Sequence, residues 1–480
     1  MSKQPVAVAV EAHGRQPVGR SVGMLIGGSA GAQLLTLAVS PILTRLYDPH
    51  DFGTLAVFTA MLVCVSVLAC LRYELAIALP ASDAEAENVV ALSVVCLTVT
   101  SLLCTLVILC FGDEIADVLN WEHASGYIWL LPVGIFAAGI FAVTEKWMVR
   151  SHHFSRLAKT KLLQSATSNG IQLGGYSFGV LSLIAGAIVG QSLGAGQYIV
   201  REIRQRGGGV SWAGIAAVAS RYRNFPLFST WGVMFNVAGV QLVPLVFSAL
   251  FGTIVVGYFA FALRLVQGPT TLIGAALCNV FIAHAPAALR EGRLAAVVEE
   301  MRRKLAVVGI PALVLLTVSG PDLFAAVFGE KWRQAGVYAR WMAPWIYLQF
   351  QVSPISPLAQ ILEAQKMELA ANFITFSMRA VTLAVCYVWS VPGNTSVQAF
   401  CVVSAVAYLA MLTLFMSRVG VGLPAMLMHD IRKILLFLLC AAPALYLFDG
   451  SVDVRTGLAA CYFMILSAGW LYRERRTGTW

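Results

Sequence analysis

The sequence predicts an all-α integral membrane protein of about fourteen transmembrane helices, arranged as two six-helix lobes with a C-terminal helix pair. Three observations predict it. Of the 480 residues 59% are hydrophobic and only 12% charged, at a mean hydropathy of +0.77, which leaves too little polar surface to cover a water-soluble globule. The apolar residues gather in runs of about 20, the length at which a helix crosses a hydrocarbon core with its backbone groups satisfied internally. The basic residues fall between those runs, unevenly on the two sides they define.

The runs can be taken in order. Six helices are expected at Val22 to Thr44, Phe52 to Leu71, Asn88 to Phe111, Tyr127 to Met148, Thr160 to Phe178 and Leu181 to Val200. Six more follow at Leu227 to Leu250, Val256 to His284, Leu305 to Val318, Arg340 to Leu362, Leu369 to Trp389 and Ser396 to Ser417. Lys433 to Phe448 and Arg455 to Tyr472 close the chain. With the N-terminus inside, 26 of the 33 Lys and Arg residues fall on inside segments, five fall in outside loops, and Arg264 and Arg379 fall within helices. This asymmetry is the one that insertion imposes on cytoplasmic loops, so both termini are expected in the cytoplasm.

The expected organisation is a cytoplasmic tail at 1–21, a first lobe at 22–203, a basic linker at 204–225, a second lobe at 226–418, a helix pair at 419–472 and a tail at 473–480. A weak internal repeat supports the halving. Gln33 precedes Pro41 by eight residues and Asn236 precedes Pro244 by eight, with Gly53 and Gly257 following twelve and thirteen residues on. Six spans per half return each repeat to the same side, so the halves should be parallel, related by an axis along the membrane normal. Gly23, Gly27 and Gly31, and again Gly186, Gly190 and Gly194, recur every four residues and predict close helix packing. The stretch Ala287 to Lys304 reads as a helical extension lying at the cytoplasmic surface.

Several chemistries are disfavoured. The net charge of +9 belongs to topology rather than to nucleic acid, and no nucleic-acid partner is expected. The ten cysteines lie almost all inside apolar runs without CxxC spacing, so they read as small hydrophobes, with no metal and no cofactor indicated. No GxxxxGK[ST] phosphate loop occurs, and no loop carries a nucleophile, base and orienting acid in recognisable spacing. An enzyme is not expected.

What remains is polar residues inside apolar helices. A charge at a helix centre costs about 2.5–3.5 kcal/mol on insertion scales, so Arg264 and Arg379 require a cavity or a partner. Arginine pairs with phosphate through two parallel hydrogen bonds, which makes these two the leading candidates for an anionic head group, and snorkelling or a structural pair is the plain alternative. Gln33, Gln164, Asn169, Asn236, Gln241, Gln349 and Gln360 are candidates to line a wet cavity able to bind sugars. Helix-to-helix hydrogen bonding is the plain alternative for them. Arg45 and Glu74 stand at helix ends, where a gate or an interface anchor is equally expected.

Five stretches carry a resemblance: SPILTRLYDPHDFG at Ser40 to Gly53, LRYELAIALP at Leu71 to Pro80, NFPLFSTWGVMFNVAGVQLVP at Asn224 to Pro244, VGYFAFALRLVQGP at Val256 to Pro269 and SPLAQILEAQKMEL at Ser356 to Leu369. Taken in series, from about Val22 to Ser417, they resemble the Wzx-type polysaccharide-biosynthesis flippases of the multidrug/oligosaccharidyl-lipid/polysaccharide superfamily. The resemblance implies a two-lobed carrier in the bacterial inner membrane that moves polyprenyl-pyrophosphate-linked oligosaccharide to the outer leaflet by alternating access, for O-antigen, capsule or exopolysaccharide. Its partners would be membrane lipid, that lipid-linked sugar and other polysaccharide-assembly membrane proteins. It would give Arg264, Arg379 and Arg45 the pyrophosphate. Two other functions stay open on the residues: a cation-coupled multidrug exporter of the same superfamily, and a membrane scaffold that transports nothing.

Overall fold

The computed structural model describes residues 18–192, 209–362, 364–446, 462 and 465–469. Most of the N-terminal tail, the end of the sixth expected helix with Gly194, the start of the linker, nearly all of the last expected helix and the C-terminal tail lie outside the described residues. What is described is helical throughout, without a strand among the described residues.

The first set of helices is α1 (Val18–Leu46), α2 (Pro49–Ala69), α3 (Asp83–Val118), α4 (Leu131–Arg150), α5 (Phe154–Gly174) and α6 (Val180–Ser192). Their ends follow local chemistry. Pro49 opens α2, where a missing N–H costs nothing, and the Asp51 carboxylate accepts the Asp48 backbone N–H at 2.9 Å. Ser82 caps α3, its hydroxyl accepting the Glu85 N–H at 3.2 Å, with Asp83 and Glu85 at the positive end of the helix dipole. Arg150 pins the far end of α4 to the start of α3, donating to Pro80 O at 2.7 Å and pairing with Asp83 at 3.0 Å.

A short amphipathic helix, α7 (Trp212–Arg221), stands in the segment expected to be a plain basic linker. It is tied to the start of α3: Asn88 Oδ1 accepts the Ser211 N–H at 3.0 Å and Arg221 pairs with Glu85 at 2.7 Å.

The second set is α8 (Thr230–Phe251), α9 (Thr253–Arg290), α10 (Leu294–Phe328), α11 (Arg333–Val352), α12 (Gln365–Val388) and α13 (Gly393–Arg418), followed by α14 (Leu423–Tyr446). The surface helix expected across Ala287 to Lys304 is in fact broken at Gly292, whose φ of 69° suits a residue without Cβ. Its two parts become the end of α9 and the start of α10.

Seven of the described helices are long and apolar enough to cross a membrane, and the protein is a multi-pass membrane protein. This is fewer than the fourteen spans expected. The shortfall has a chemical reason in α5 and α11, whose Lys161, Gln164 and Asn169, and Gln349 and Gln351, lower their hydropathy because they face polar neighbours rather than lipid. The described parts of two further apolar helices, Val180–Ser192 and Val240–Phe251, are shorter than a span.

Packing joins the two sets at one end of the bundle, the end that carries the turn at Asp48. There Trp332 Nε1 donates to Thr44 O at 2.9 Å, Lys331 pairs with Asp48 at 2.7 Å, and Ser248 and Asn120 each bond a backbone carbonyl of the opposite set at 2.6 and 2.7 Å. The largest apolar core runs straight through this junction. Phe52 of α2 meets Trp332 edge to face at 5.1 Å between ring centroids, and Trp332 in turn meets Phe261 of α9 at 4.4 Å.

The glycine stripes are realised in part. On α1 it is Gly28 and Gly31 that press on Ala158 and Leu162 of α5, whereas Gly27 faces open space. A helix turns 3.6 residues per cycle, so positions three apart share the contact better than positions four apart at this crossing. Gly186 and Gly190 sit against Gln172 and Ser168, packing α6 onto α5 within the first set.

Candidate functional site

Between α1, α2, α5 and α6 on one side and α8 and α9 on the other lies a cavity of about 660 Å³. Its floor is the aromatic and aliphatic seal at the Asp48 end, formed by Phe52, Leu55 and Phe261. From there it runs along the helices to Ser29, Lys161 and Gln191.

The two walls differ. The first set supplies an uncharged polar surface, with Gln33 and Thr36 from α1 and Gln164, Ser165, Ser168 and Asn169 from α5. Thr36 and Ser165 hydroxyls meet at 3.0 Å, and the Ser165 hydroxyl donates to Ala32 O at 2.9 Å, so α1 and α5 are zipped by short polar groups, while Asn169 Nδ2 donates within α5 to Ser165 O at 2.8 Å. The second set supplies Arg264, Gln241 and Gln267. Arg264 stands eleven residues into α9, about 16 Å along its axis at 1.5 Å per residue, near the middle of a hydrocarbon core. No hydrogen bond or ion pair to Arg264 occurs among the described residues, and its side chain is exposed to the cavity. The other cation on the lining, Lys161, is paired with Glu145 at 3.0 Å. Among the described lining residues there is no acid.

The structure therefore brings Arg264, Gln33, Gln164, Asn169 and Gln241 into one cavity. Gln349 lies one step behind the wall, its Oε1 accepting from Gln267 Nε2 at 3.1 Å. The backbones of Asn236 and Gln360 are helical, and their side chains lie outside the described residues. Arg45 is exposed at the end of α1 and is not part of the lining. Glu74 is buried in the two-turn 3-10 segment Tyr73–Ala78 at the end of the bundle opposite Asp48, 3.7 Å from Arg72, with one carboxylate oxygen unpartnered among the described residues.

Arg379 is placed elsewhere. It occupies a second, apolar cavity of about 340 Å³ between α8 and α12, walled by Leu242, Val246, Phe376 and Leu383. Three rings surround its guanidinium, Trp345 at 5.0 Å, Phe400 at 5.3 Å and Tyr408 at 5.5 Å, and its Nε donates to Ser404 at 2.9 Å. Cation–π attraction and this hydrogen bond stabilise the charge in place of a carboxylate. The expectation that it shares a cavity with Arg264 thus meets a different geometry. In the first set α1 and α5 close on one another through glycines, and between α8 and α12 an aromatic cage around an arginine holds a gap open.

Sequence reasoning missed Lys161, Thr36, Gln191 and Gln267. Two of them were within reach: Lys161 is three residues before Gln164, and Gln267 three after Arg264, so each shares a helix face with a residue already singled out. It also missed a buried ionic cluster. Arg302, fully buried, donates to Asp430 at 2.7 Å and to Glu299 at 2.8 and 3.0 Å, and Tyr347 donates to Asp430 at 2.9 Å. This cluster fastens α14 to α10 and α11, away from both cavities.

A family model described as polysaccharide biosynthesis protein matches residues 42–336. Among solved structures, the chain is similar to the lipid II flippase MurJ in an inward closed conformation, with a TM-score of 0.70 at 13% identity over 95% of this chain and 98% of that one. A multidrug resistance MATE family transporter of the MOP superfamily, in an outward-facing conformation, gives a TM-score of 0.47 at 13% identity, covering 84% of this chain and 95% of that one. No curated protein matches. The chain has the all-helical fold seen in MurJ.

Proposed function

The chain belongs to the polysaccharide biosynthesis protein family, and we propose that within it this protein is a flippase that carries polyprenyl-pyrophosphate-linked oligosaccharide from the cytoplasmic to the outer leaflet of a bacterial inner membrane. The observation that carries the reading is the cavity between the two helix sets, with Arg264 on one wall, unpaired among the described residues, and a polar surface facing it whose one cation, Lys161, is paired with Glu145. A pyrophosphate and its sugars cannot cross hydrocarbon bare, because their water has nothing to replace it. Arg264 supplies a charge-assisted donor for the phosphates and the amides and hydroxyls supply partners for the sugars, while the isoprenoid chain stays in lipid.

The mechanism is alternating access between two six-helix lobes, 22–203 and 226–418, with both termini in the cytoplasm. The contacts that join the helix sets then lie at the outer face, and the cavity is the loading state. Reorientation requires the junction at Asp48, Thr44, Lys331 and Trp332 to part. Moving about two negative charges outward across ~100 mV gains roughly 4–5 kcal/mol at ~2.3 kcal/mol per charge, enough to bias transport without a coupling ion. A multidrug exporter of cations fits less well, since Arg264 repels a cationic substrate and no acid stands among the described lining residues to attract one.

The test is outward movement of a fluorescent polyprenyl-pyrophosphate oligosaccharide in proteoliposomes, with and without a membrane potential. Transport by the wild type that is lost in Arg264→Ala supports the reading. Absence of transport for every lipid-linked sugar tried, or transport indifferent to Arg264→Ala, overturns it in favour of a scaffold or another cargo.

A further inference from the structure

Three amide groups of the cavity's uncharged wall are not free to point either way. Gln164 Nε2 donates to Gln191 O at 2.9 Å, Asn169 Nδ2 to Ser165 O at 2.8 Å, and Gln172 Nε2 to Leu183 O at 3.2 Å. Each partner is a backbone carbonyl, which can only accept, so the amide nitrogens must face the protein. None of the three side-chain oxygens accepts a hydrogen bond among the described residues, and none is sealed away from accessible space. The wall presented to a ligand is thus biased toward acceptors. A surface of this kind wants donors.

The charges point the same way. Arg264 is the one lining cation without an ionic partner among the described residues, since Lys161 is paired with Glu145. Once Arg264 holds the phosphates, a second anion in the cavity would face carbonyl-type oxygens and no free cation. A carboxylate is acceptor-only and costly to desolvate without donors, whereas a hydroxyl or an acetamido N–H donates to the very atoms on offer.

Resting on the flippase reading above, we infer that the glycan carried by this protein is electrically neutral and rich in hydroxyl or N–H donors, lying against the α1, α5 and α6 wall while its phosphates meet Arg264 on α9. Specificity against acidic sugars then comes from the orientation of Gln164, Asn169 and Gln172 rather than from any repelling charge. Gln164 is the natural residue to change, because a lysine there can still donate to Gln191 O.

The experiment measures binding of two undecaprenyl-pyrophosphate disaccharides to the full-length protein in lipid nanodiscs, identical except that a terminal hexose is replaced by its uronic acid. Wild type is expected to bind the neutral form at least about tenfold tighter, and Gln164→Lys to narrow or reverse that ratio. Equal affinity for both glycans, with both lost in Arg264→Ala, overturns the inference and leaves the flippase reading standing. Failure of both glycans to bind, or binding of the neutral glycan indifferent to Arg264→Ala, overturns the flippase reading and the inference with it. Arg264→Ala also serves as the check on folding, through its melting temperature.

Discussion

Gly53 on α2 and Gly257 on α9 lie against each other across the junction of the two helix sets. A Cβ on Gly53 would run into the carbonyl of Thr253 and come within 3.1 Å of Gly257 N, while a Cβ on Gly257 would run into the carbonyl of Pro49 and come within 3.0 Å of Gly53 N. The relationship is reciprocal: residue 49 answers 253 as residue 53 answers 257. This is what a parallel repeat related by a two-fold axis produces when one helix meets its own counterpart.

Alanine at either glycine should therefore push α2 and α9 apart. Gly53→Ala and Gly257→Ala are each expected to destabilise by about 1–3 kcal/mol, the usual cost of overpacking. The double variant is expected to cost less than the sum, because the first methyl already opens the space that the second needs. Melting temperatures of the four proteins in one detergent form the cycle, and strict additivity would count against the reciprocal contact.

The two arginines should separate functionally. Arg264→Ala is expected to reduce flipping of the lipid-linked sugar at least about tenfold, with Arg264→Lys intermediate because a point charge replaces a bidentate fork. Arg379→Ala removes a caged cation from a different cavity, so it is expected to lower the melting temperature while leaving substrate affinity in the folded fraction unchanged. Binding measured on the folded fraction checks this, and a large loss of affinity in Arg379→Ala would return that residue to the substrate site.

Asp430 is the second partner of a fully buried arginine. Asp430→Ala leaves Arg302 with Glu299 alone and is expected to cost about 3–5 kcal/mol, the range for breaking a buried pair from one side. Arg302→Met combined with Asp430→Leu should recover much of that loss, since an apolar pair needs no desolvation. Chemical unfolding in detergent micelles gives the comparison, and a double variant worse than both singles would contradict it.

Glu74 gives a pH dependence with a definite sign. Burial pushes its carboxyl above the ordinary 4.5, against the smaller opposing effects of its own backbone N–H, Arg72 and Lys146. The folded state therefore keeps a proton that the unfolded chain releases, so its contribution to stability falls as pH rises from about 4.5 through the raised folded value. Glu74→Gln cannot ionise and is expected to show a shallower loss of melting temperature between pH 4.5 and 7.5. Identical slopes for the two proteins would exclude this role.

How much of this was legible before folding differs from residue to residue. Arg264 stood out because a charge inside an apolar run has few explanations, and its cavity neighbours Gln33, Gln164, Asn169 and Gln241 stood out for the same reason. Gly53 and Gly257 were legible as positions at matching distances from Pro41 and Pro244, though not as residues that lie against each other. Arg379 looked equivalent to Arg264 in sequence because both are arginines deep in helices. The three rings that distinguish it come from α11 and α13, and no spacing along α12 announces them. Asp430 falls just before the helix expected at Lys433 to Phe448, where nothing in the sequence singles it out, and its burial goes with its pairing to Arg302, 128 residues away.

The sequence by itself determined the solvent, the helical fold class and the rarity of charges in the apolar runs, because burial in lipid constrains every residue of a span and leaves its mark in composition. Only the tertiary structure decided which polar residues share a wall, which way the amides of Gln164, Asn169 and Gln172 turn, and which arginine is left unpaired. Those are properties of neighbours brought together from different helices, and periodicity along one helix fixes the face a residue occupies but not what that face meets.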